Sequence, residues 1–169
     1  MDCNNLSRCI SSLKQSGKKD LGCSVSNCLK NYDDRKKVVV EENKKKYELI
    51  NSKSDKIAVF QVDGGMISSQ SDKKCDNLMM DVDSKLAIFI ELKGSDLKHA
   101  LIQVDQTIAR TIPVLLGHRV FARIVTSSRT NVPDIRTCPQ YINLVKRVAA
   151  NRGNVNIRAN IITEDNASL

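Results

Sequence analysis

The most strongly apolar stretch of the chain lies near its middle. Leu86 to Leu92 reads LAIFIEL, with apolar side chains at both odd and even positions, which predicts a strand buried on both faces of a sheet. Residues 75–81 form a second, largely apolar run, and a polar turn centred on Asp83-Ser84 separates the two. The pattern predicts a β-hairpin in which position 81 pairs with position 86.

A helix is predicted directly after this hairpin. Apolar residues recur at helical spacing from Leu97 to Ile108, and Ser95 precedes them as a suitable N-cap. A second amphipathic helix is predicted over residues 139–151. Short β-branched and apolar runs predict further strands at 38–42, 46–51, 56–62, 119–126 and 154–163.

The order of these elements indicates the fold class. Several strands in succession come first, and strands alternating with helices follow, which favours an α/β fold with a mixed sheet. Residues 1–37 are rich in Cys, Ser and Lys, and we predict a short helix over 3–16 followed by a loop with one helical turn near Cys28. We therefore expect a single domain in which residues 38–169 form the core and residues 1–37 an N-terminal helix and loop region.

The hairpin register brings charged side chains together at one end of the sheet. Continuing the pairing of 81 with 86 places Asp76 opposite Glu91, and directly paired residues have Cβ atoms roughly 5 Å apart on one face. Lys93 follows two residues later on the same face. Because like charges in such a pair destabilise a sheet, we expect a hard cation such as Mg²⁺ to bind at Asp76 and Glu91.

An Asp on one strand, Glu-Leu-Lys on the next and then a helix resembles the core of the PD-(D/E)xK nuclease superfamily, which includes restriction endonucleases and Holliday-junction resolvases. The resemblance implies a restriction-endonuclease-like mixed β-sheet flanked by helices. It also implies a nuclease in which Asp76, Glu91 and the carbonyl of Leu92 bind Mg²⁺ or Mn²⁺. Lys93 would assist the attacking water, and Gln103, on the following helix, would border the metal site.

Three observations bear on this resemblance. Cys75 precedes Asp76 at the position where the family motif has Pro. The spacing Glu-x-Lys also occurs a second time, at Glu42-Asn43-Lys44. The second copy follows no buried strand with an Asp opposite, so we interpret it as solvated charge. Many members carry another Glu on a helix before the sheet, whereas no Glu precedes Glu41 here. Asp63, at the end of a predicted strand, is a candidate replacement, although an Asp before Gly-Gly is more typical of a turn.

The charge distribution fits a protein that contacts phosphates. The formal net charge is +8. Acidic residues outnumber basic ones over 57–112, which holds the predicted site, and basic residues predominate on both sides of it. Carboxylates for a metal and cations for flanking phosphates suit a phosphodiesterase, although solvated lysines on a basic protein give the same count. Arg110, Arg123 and Arg129 are candidate phosphate contacts, and the resemblance favours DNA over RNA as the substrate.

Cysteines are concentrated near the N-terminus. Cys3, Cys9, Cys23 and Cys28 are four of the six in the chain. Their spacing is looser than that of most zinc sites. We favour reduced thiols packed as small apolar side chains over a structural Zn²⁺ site.

Composition indicates where the protein acts, and two alternatives to a nuclease stay open. The polar N-terminus and the absence of a long apolar run predict a soluble, cytoplasmic protein without a membrane partner. Aromatic residues make up only 4% of the chain, which argues against a single-strand binder built on stacking platforms. The alternatives are a nucleic-acid-binding or assembly subunit on an inactive nuclease fold, and a zinc-stabilised interaction module. A nuclease of this size is expected to take its specificity from a dimer mate or partner protein, and a defence or repair system would suit it.

Overall fold

The computed structural model describes residue 13 and residues 28–67, 69–93, 95–127 and 135–169. In these residues the chain forms nine strands and two α-helices. In chain order they are β1 (Leu29–Asp33), β2 (Lys37–Glu42), β3 (Lys45–Ile50), β4 (Ile57–Gln61), β5 (Asn77–Asp81), β6 (Leu86–Leu92), α1 (Leu97–Thr111), β7 (Arg119–Thr126), α2 (Pro139–Ala150), β8 (Val155–Ala159) and β9 (Ile161–Asp165). A short 3₁₀ turn over Ile112–Val114 follows α1.

Six strands form the main sheet in the order β1-β4-β5-β6-β7-β8. The pairs from β1 to β6 are antiparallel, and the pairs β6–β7 and β7–β8 are parallel. Each parallel pair is joined by a helical crossover, α1 or α2, because a tight turn cannot connect parallel neighbours. The predicted α/β fold with a mixed sheet is confirmed.

A smaller sheet contains β2, β3 and β9. β2 and β3 form an antiparallel hairpin whose two-residue turn has positive φ at Asn43 (47°) and Lys44 (64°), the backbone twist that two-residue hairpin turns favour. β9 pairs with β3 in parallel. The small sheet therefore combines an early hairpin with the last strand of the chain.

Two apolar clusters lie on the two faces of the main sheet. On one face α1 and α2 bury Leu101, Val104 and Leu144 against it. On the other face the small sheet buries Tyr47 and Leu49. The helices therefore cover one face only, and every residue of β6, in the interior of the sheet between these layers, is buried.

The helices follow the sequence pattern closely. α1 buries the predicted apolar stripe of Leu97, Ala100, Leu101, Val104 and Ile108. Its N-cap is Asp96, one residue later than predicted, and the Asp96 carboxylate accepts the His99 backbone N–H at 3.0 Å. α2 covers Pro139–Ala150, close to the predicted 139–151. Neither helix, among the residues that the structure describes, has the length and apolar character needed to cross a lipid bilayer.

One predicted strand is in fact two. The pattern predicts a single strand over 154–163, but β8 pairs with β7 in the main sheet and β9 pairs with β3 in the small sheet. Asn160 between them has a φ of 64°, in the left-handed region that Asn tolerates better than most residues. This single residue redirects the chain from one sheet to the other.

The N-terminal boundary of the core also differs from the prediction. β1, where a loop with one helical turn is predicted, is the edge strand of the main sheet and pairs with β4. The core therefore begins no later than Leu29 instead of at Val38. Leu13 is buried against the same cluster, and its carbonyl accepts the Tyr32 hydroxyl at 3.1 Å. The rest of the predicted helix at 3–16 lies outside the described residues.

Candidate active site

The β5–β6 hairpin has the predicted register. Asp81 pairs with Leu86 and Asn77 with Ile90, so Asp76, one residue before β5, continues the ladder opposite Glu91. The Asp76 carboxylate accepts the Leu92 backbone N–H at 2.6 Å. This bond holds the Asp76 carboxylate at the carboxyl end of β6.

Glu91 is a buried carboxylate with incomplete hydrogen bonding. Its exposed fraction is 1%, and its Oε1 lies 4.0 Å from the Lys93 ammonium. Its Oε2 is buried and has no hydrogen-bond partner among the described residues. A buried carboxylate oxygen without a partner is costly and calls for a missing donor or cation.

Both acids hold their protons unusually tightly. Burial raises the pKa of Glu91 to about 9, and the negative charge of Asp76 adds to this shift. Burial also raises the pKa of Asp76, against the lowering effect of the Leu92 hydrogen bond. The site therefore resists carrying both negative charges unless a cation is bound. Paired carboxylates and oxygen-only donors are what a hard cation such as Mg²⁺ or Mn²⁺ requires, so the residues fit the expected metal.

α1 fixes the backbone that leads into Asp76. The Gln103 side-chain amide donates to the Lys74 carbonyl at 2.8 Å. The Thr107 hydroxyl accepts the Cys75 backbone N–H at 2.9 Å and donates to the Gln103 carbonyl at 2.8 Å. Gln103 thus lies beside the segment that carries Asp76, and its Oε1 is a second buried oxygen without a hydrogen-bond partner in the described chain.

Leu92 and Cys75 occupy distinct positions around this centre. The Leu92 side chain packs into the apolar cluster under the small sheet, so that only its backbone is available to the site. Its N–H serves Asp76, and metal binding by its carbonyl stays a prediction. Cys75 packs in the cluster under the helices. Burial raises the pKa of its thiol, and the nearby Glu91 charge raises it further.

Two of the three arginines predicted to contact phosphate belong to the described residues, and their environments differ. Arg110 is exposed on α1 and forms an ion pair with Asp72 at 2.7 Å, so its contact with a phosphate stays a prediction. Arg123 is fully buried and pairs with Glu164 at 2.6 Å, which rules it out as a surface phosphate contact. The sequence contained a signal of this burial, because Arg123 lies inside a continuous apolar strand and a buried charge needs an ion-pair partner. Arg129 lies outside the described residues.

One acidic residue near the centre was missed by the sequence reasoning. A cleft of about 570 Å³ runs along the end of β2 and is lined by Glu42, Asp63 and Asp76. Glu42 is exposed, as expected of solvated charge. Its charge nevertheless raises the pKa of Asp76, after burial, and contributes to the raised pKa of Glu91. Asp63 also lines the cleft, but its carboxylate is 3.3 Å from the Lys74 ammonium.

A second group of acids lies at the other end of the hairpin. Carboxylate oxygens of Asp55, Asp81 and Asp83 lie within 4.8 Å of one another. Asp81 accepts hydrogen bonds from the Ser84 N–H and the Asn166 amide at 2.9 Å each. Asp55 accepts the Ser84 hydroxyl and Asp83 accepts a backbone N–H. These carboxylates therefore accept hydrogen bonds from the protein itself, and we interpret the cluster as a structural one that stabilises the turn between β5 and β6.

The cysteine prediction is only partly covered by the described chain. Cys28 is free and packs in the apolar cluster under the helices, in the manner of a small apolar side chain. Cys3, Cys9 and Cys23 lie outside the described residues. The alternative of a structural Zn²⁺ site therefore stays a prediction.

Comparisons of the chain with protein-family models, with curated proteins and with solved structures found no match. We therefore infer the function from the geometry of Asp76, Glu91 and Lys93.

Proposed function

We propose that this protein is a metal-dependent nuclease that hydrolyses phosphodiester bonds, with DNA favoured over RNA. The observation that carries the proposal is the buried Oε2 of Glu91, beside Asp76, to which none of the described residues donates a hydrogen bond. Surface acids are common in any protein, but a carboxylate that is 99% buried with a pKa of about 9 needs a reason to be kept. Perturbed carboxylates of this kind are concentrated at functional sites.

Each residue has a role that follows from its position. Asp76 and Glu91 would hold one Mg²⁺ or Mn²⁺, with the Leu92 carbonyl as a further oxygen ligand. A divalent cation bound there polarises the phosphate and lowers the pKa of a nearby water. The Lys93 ammonium, 31% exposed and 4.0 Å from Glu91, is free to donate to the attacking water and to the phosphate oxygens. A fixed positive charge at that point stabilises the negative charge that develops in the transition state.

Gln103 acts through the backbone and not on the substrate. It anchors the Lys74 carbonyl two residues before Asp76. Positioning of this kind matters because small displacements of a reacting group reduce the rate strongly.

The order of the elements around the site supports the proposal. Asp76 directly precedes β5, Glu91 lies at the end of the antiparallel strand β6 and Lys93 directly follows that strand, and α1 then leads to the parallel strand β7. This is the order of elements implied by the resemblance to the PD-(D/E)xK superfamily. The choice of DNA, and the dependence on a dimer mate or partner for specificity, come from that resemblance and the basic flanks.

The test is cleavage of plasmid, linear duplex, branched DNA and single-stranded RNA with Mg²⁺, Mn²⁺ or EDTA. We expect cutting that requires the metal and is lost in Asp76→Asn and Lys93→Met. The matched control is Lys98→Met, which removes an exposed lysine on α1 and should cut normally. Calorimetric titration with Mn²⁺ accompanies the assay, because a partner-dependent nuclease still binds its metal. Cutting that survives EDTA or Lys93→Met, or a wild type that neither cuts nor binds Mn²⁺, would contradict the proposal.

A further inference from the structure

The cleft beside Asp76 lies between the main sheet and β2 of the small sheet. Asn31 pairs with Val59 and Gln61 with Asn77, so that three neighbouring strands, β1, β4 and β5, contribute to its lining. β2 forms another part of the lining. The volume of about 570 Å³ is within the range of ligand pockets in proteins, roughly 300–1,000 Å³.

β2 offers an open backbone edge to this cleft. It is an outer strand of the small sheet and pairs with β3 alone among the described strands. The two-residue turn makes Glu42 and Lys45 a hydrogen-bonded pair. Backbone groups alternate in direction along a strand, so the N–H and C=O groups of Val39 and Glu41 point away from β3. No described residue forms a backbone hydrogen bond with either from outside the hairpin.

Two further hydrogen bonds agree with this alternation. The Asn51 N–H donates to the Lys36 carbonyl at 2.9 Å, so even-numbered positions of this strand face β3. The Lys46 N–H donates to the Asn160 carbonyl at 2.9 Å, away from β2, as expected of the residue that pairs with Glu41. The open edge therefore belongs to the odd-numbered positions of β2, and Val39 and Glu41 both line the cleft.

This edge lacks the features that usually protect an outer strand. Proteins block such edges with bulges, prolines or very short strands. β2 pairs with β3 over six consecutive positions without a bulge, it contains three successive valines, and Val39 is 39% exposed. The outer strand β1, by contrast, has an irregularity between Leu29 and Asn31. A regular edge with an exposed valine favours the addition of another strand.

The charges of the cleft indicate what kind of strand would bind. Lys30 is the basic residue of the described lining, against four acids: Glu41, Glu42, Asp63 and Asp76. Glu41 and Glu42 end β2, so the acids follow the valines along this edge. Acidic walls attract cationic side chains and repel a bare phosphodiester. The occupant that fits is an extended protein segment with basic residues opposite the acids and β-branched residues opposite the valines.

We propose that this cleft docks an extended basic segment of a partner protein, which adds to β2 as a further strand of the small sheet. Backbone hydrogen bonds to Val39 and Glu41 would supply affinity, and the side chains would supply specificity, as in other cases of strand addition. Antiparallel pairs are the commoner kind, so the basic residues come first in the docked segment. The partner is then held beside Asp76, although its docking does not depend on metal binding or cleavage.

The first test is binding of a labelled peptide to the full-length protein in EDTA, followed by fluorescence anisotropy. The probe reads Thr-Lys-Lys-Val-Thr-Val-Thr, and a matched peptide has Glu in place of both Lys. We expect saturable binding of the basic peptide with a dissociation constant below about 1 mM. The acidic peptide should bind at least about tenfold more weakly. No saturable binding of the basic peptide, or equal binding of the two, would overturn the inference.

A proline at the open edge tests the backbone contact. Val39→Pro removes an N–H that points away from β3, so the hairpin keeps its hydrogen bonds, and peptide affinity should fall at least about tenfold. Thr163→Pro makes the same change on β9, the other outer strand of the small sheet, and should bind within about twofold of wild type. Urea denaturation establishes that both variants fold. Equal affinity of Val39→Pro and wild type would contradict strand addition.

The acids are tested separately. Glu41→Gln combined with Glu42→Gln should weaken binding of the basic peptide by about threefold or more. Asp34→Asn removes an exposed acid that does not line the cleft and should bind as wild type does. Equal effects of these two changes would show that net charge, and not the cleft, attracts the peptide.

Hydrogen exchange of single amides, measured by NMR on wild type, locates the added strand. The bound peptide should slow exchange of the Val39 and Glu41 amides and leave those of Val40 and Glu42, which already face β3, nearly unchanged. Binding without this alternating protection would refute the proposal. Light scattering of the protein alone supplies the last check, because a wild-type dimer that becomes monomeric in Val39→Pro would make a second copy the occupant instead. None of these outcomes bears on metal-dependent cleavage, so the proposed function stands or fails independently.

Discussion

The buried Glu91 makes the stability of the metal-free protein depend on pH in a defined direction. Its ordinary pKa is 4.5, and in the fold it rises to about 9 because of burial and the nearby Asp76 charge. Between these two values the unfolded chain releases the proton while the folded chain keeps it. The folded state then binds more protons, so the free energy of unfolding falls as the pH rises through this window.

The magnitude follows from the width of the window. Each unit of pKa difference is worth about 1.4 kcal/mol. The metal-free wild type should therefore lose about 3 kcal/mol of stability between pH 4.5 and pH 7, and about 6 kcal/mol as a ceiling by pH 9. Glu91→Gln has nearly the shape of the protonated acid and cannot ionise. The variant should lie within about 1 kcal/mol of wild type at pH 5 and exceed it by about 3 kcal/mol at pH 7.

Urea denaturation in EDTA at several pH values between 5 and 9 measures this difference directly. Taking the difference between wild type and Glu91→Gln cancels the other titrating groups, which are common to both. Saturating Mn²⁺ should stabilise wild type, since a cation that binds only the folded state adds stability by mass action, and should have little effect on Glu91→Gln. Glu41→Gln, which replaces an exposed glutamate, is the control and should follow wild type at every pH. Parallel curves for wild type and Glu91→Gln would contradict this prediction, because they would mean that Glu91 ionises in the folded protein without loss of stability.

Three further substitutions test the structure around the site. Arg123→Met leaves the Glu164 carboxylate without its 2.6 Å ion-pair partner. The free energy of unfolding measured in urea should fall by about 3 kcal/mol, with metal affinity unchanged. A loss of metal affinity without a loss of stability would make Arg123 a functional residue again. Gly153→Ala places a Cβ 1.8 Å from a carbonyl oxygen of β7, so its thermal midpoint should fall by an amount equivalent to about 2 kcal/mol or more. An unchanged midpoint would show that the turn at Gly153, between α2 and β8, does not pack this closely on β7. Gln103→Ala removes the hydrogen-bond donor to the Lys74 carbonyl. Stability should fall by only about 1 kcal/mol, whereas nuclease turnover should fall at least about tenfold. A normal rate would show that the hydrogen bond from Gln103 to Lys74 has no effect on catalysis.

Local periodicity was enough to predict the central hairpin and the helix that follows it. The apolar runs of β5 and β6 and the short polar turn between them indicate the hairpin register, because the position and length of a short turn fix which residues pair across it. The same reasoning located α1 and its buried stripe. The juxtaposition of Asp76 with Glu91 follows directly from that register.

The covering of the second face of the main sheet depends on long-range packing, which the sequence pattern does not predict. β9 and the β2–β3 hairpin meet there although more than 100 residues of sequence separate them, and no local pattern specifies which strands pair over such a distance. The left-handed Asn160 divides one apolar run into β8 and β9, because the backbone conformation of a single residue leaves no trace in hydrophobic periodicity. β1 escaped prediction because its residues LKNYD are mostly half-buried and lack a regular alternation.

The same distinction separates the charged residues whose neighbours could be predicted from the sequence from those whose neighbours could not. Asp76 and Glu91 are paired by neighbouring strands and could be found from the sequence. Glu42 reaches the cleft only because the small sheet packs on the main sheet, and Arg123 finds Glu164 only because β9 returns to that layer. Hydrophobic periodicity records which face of a strand is buried, whereas the partner of a charged side chain depends on which distant element lies against that face.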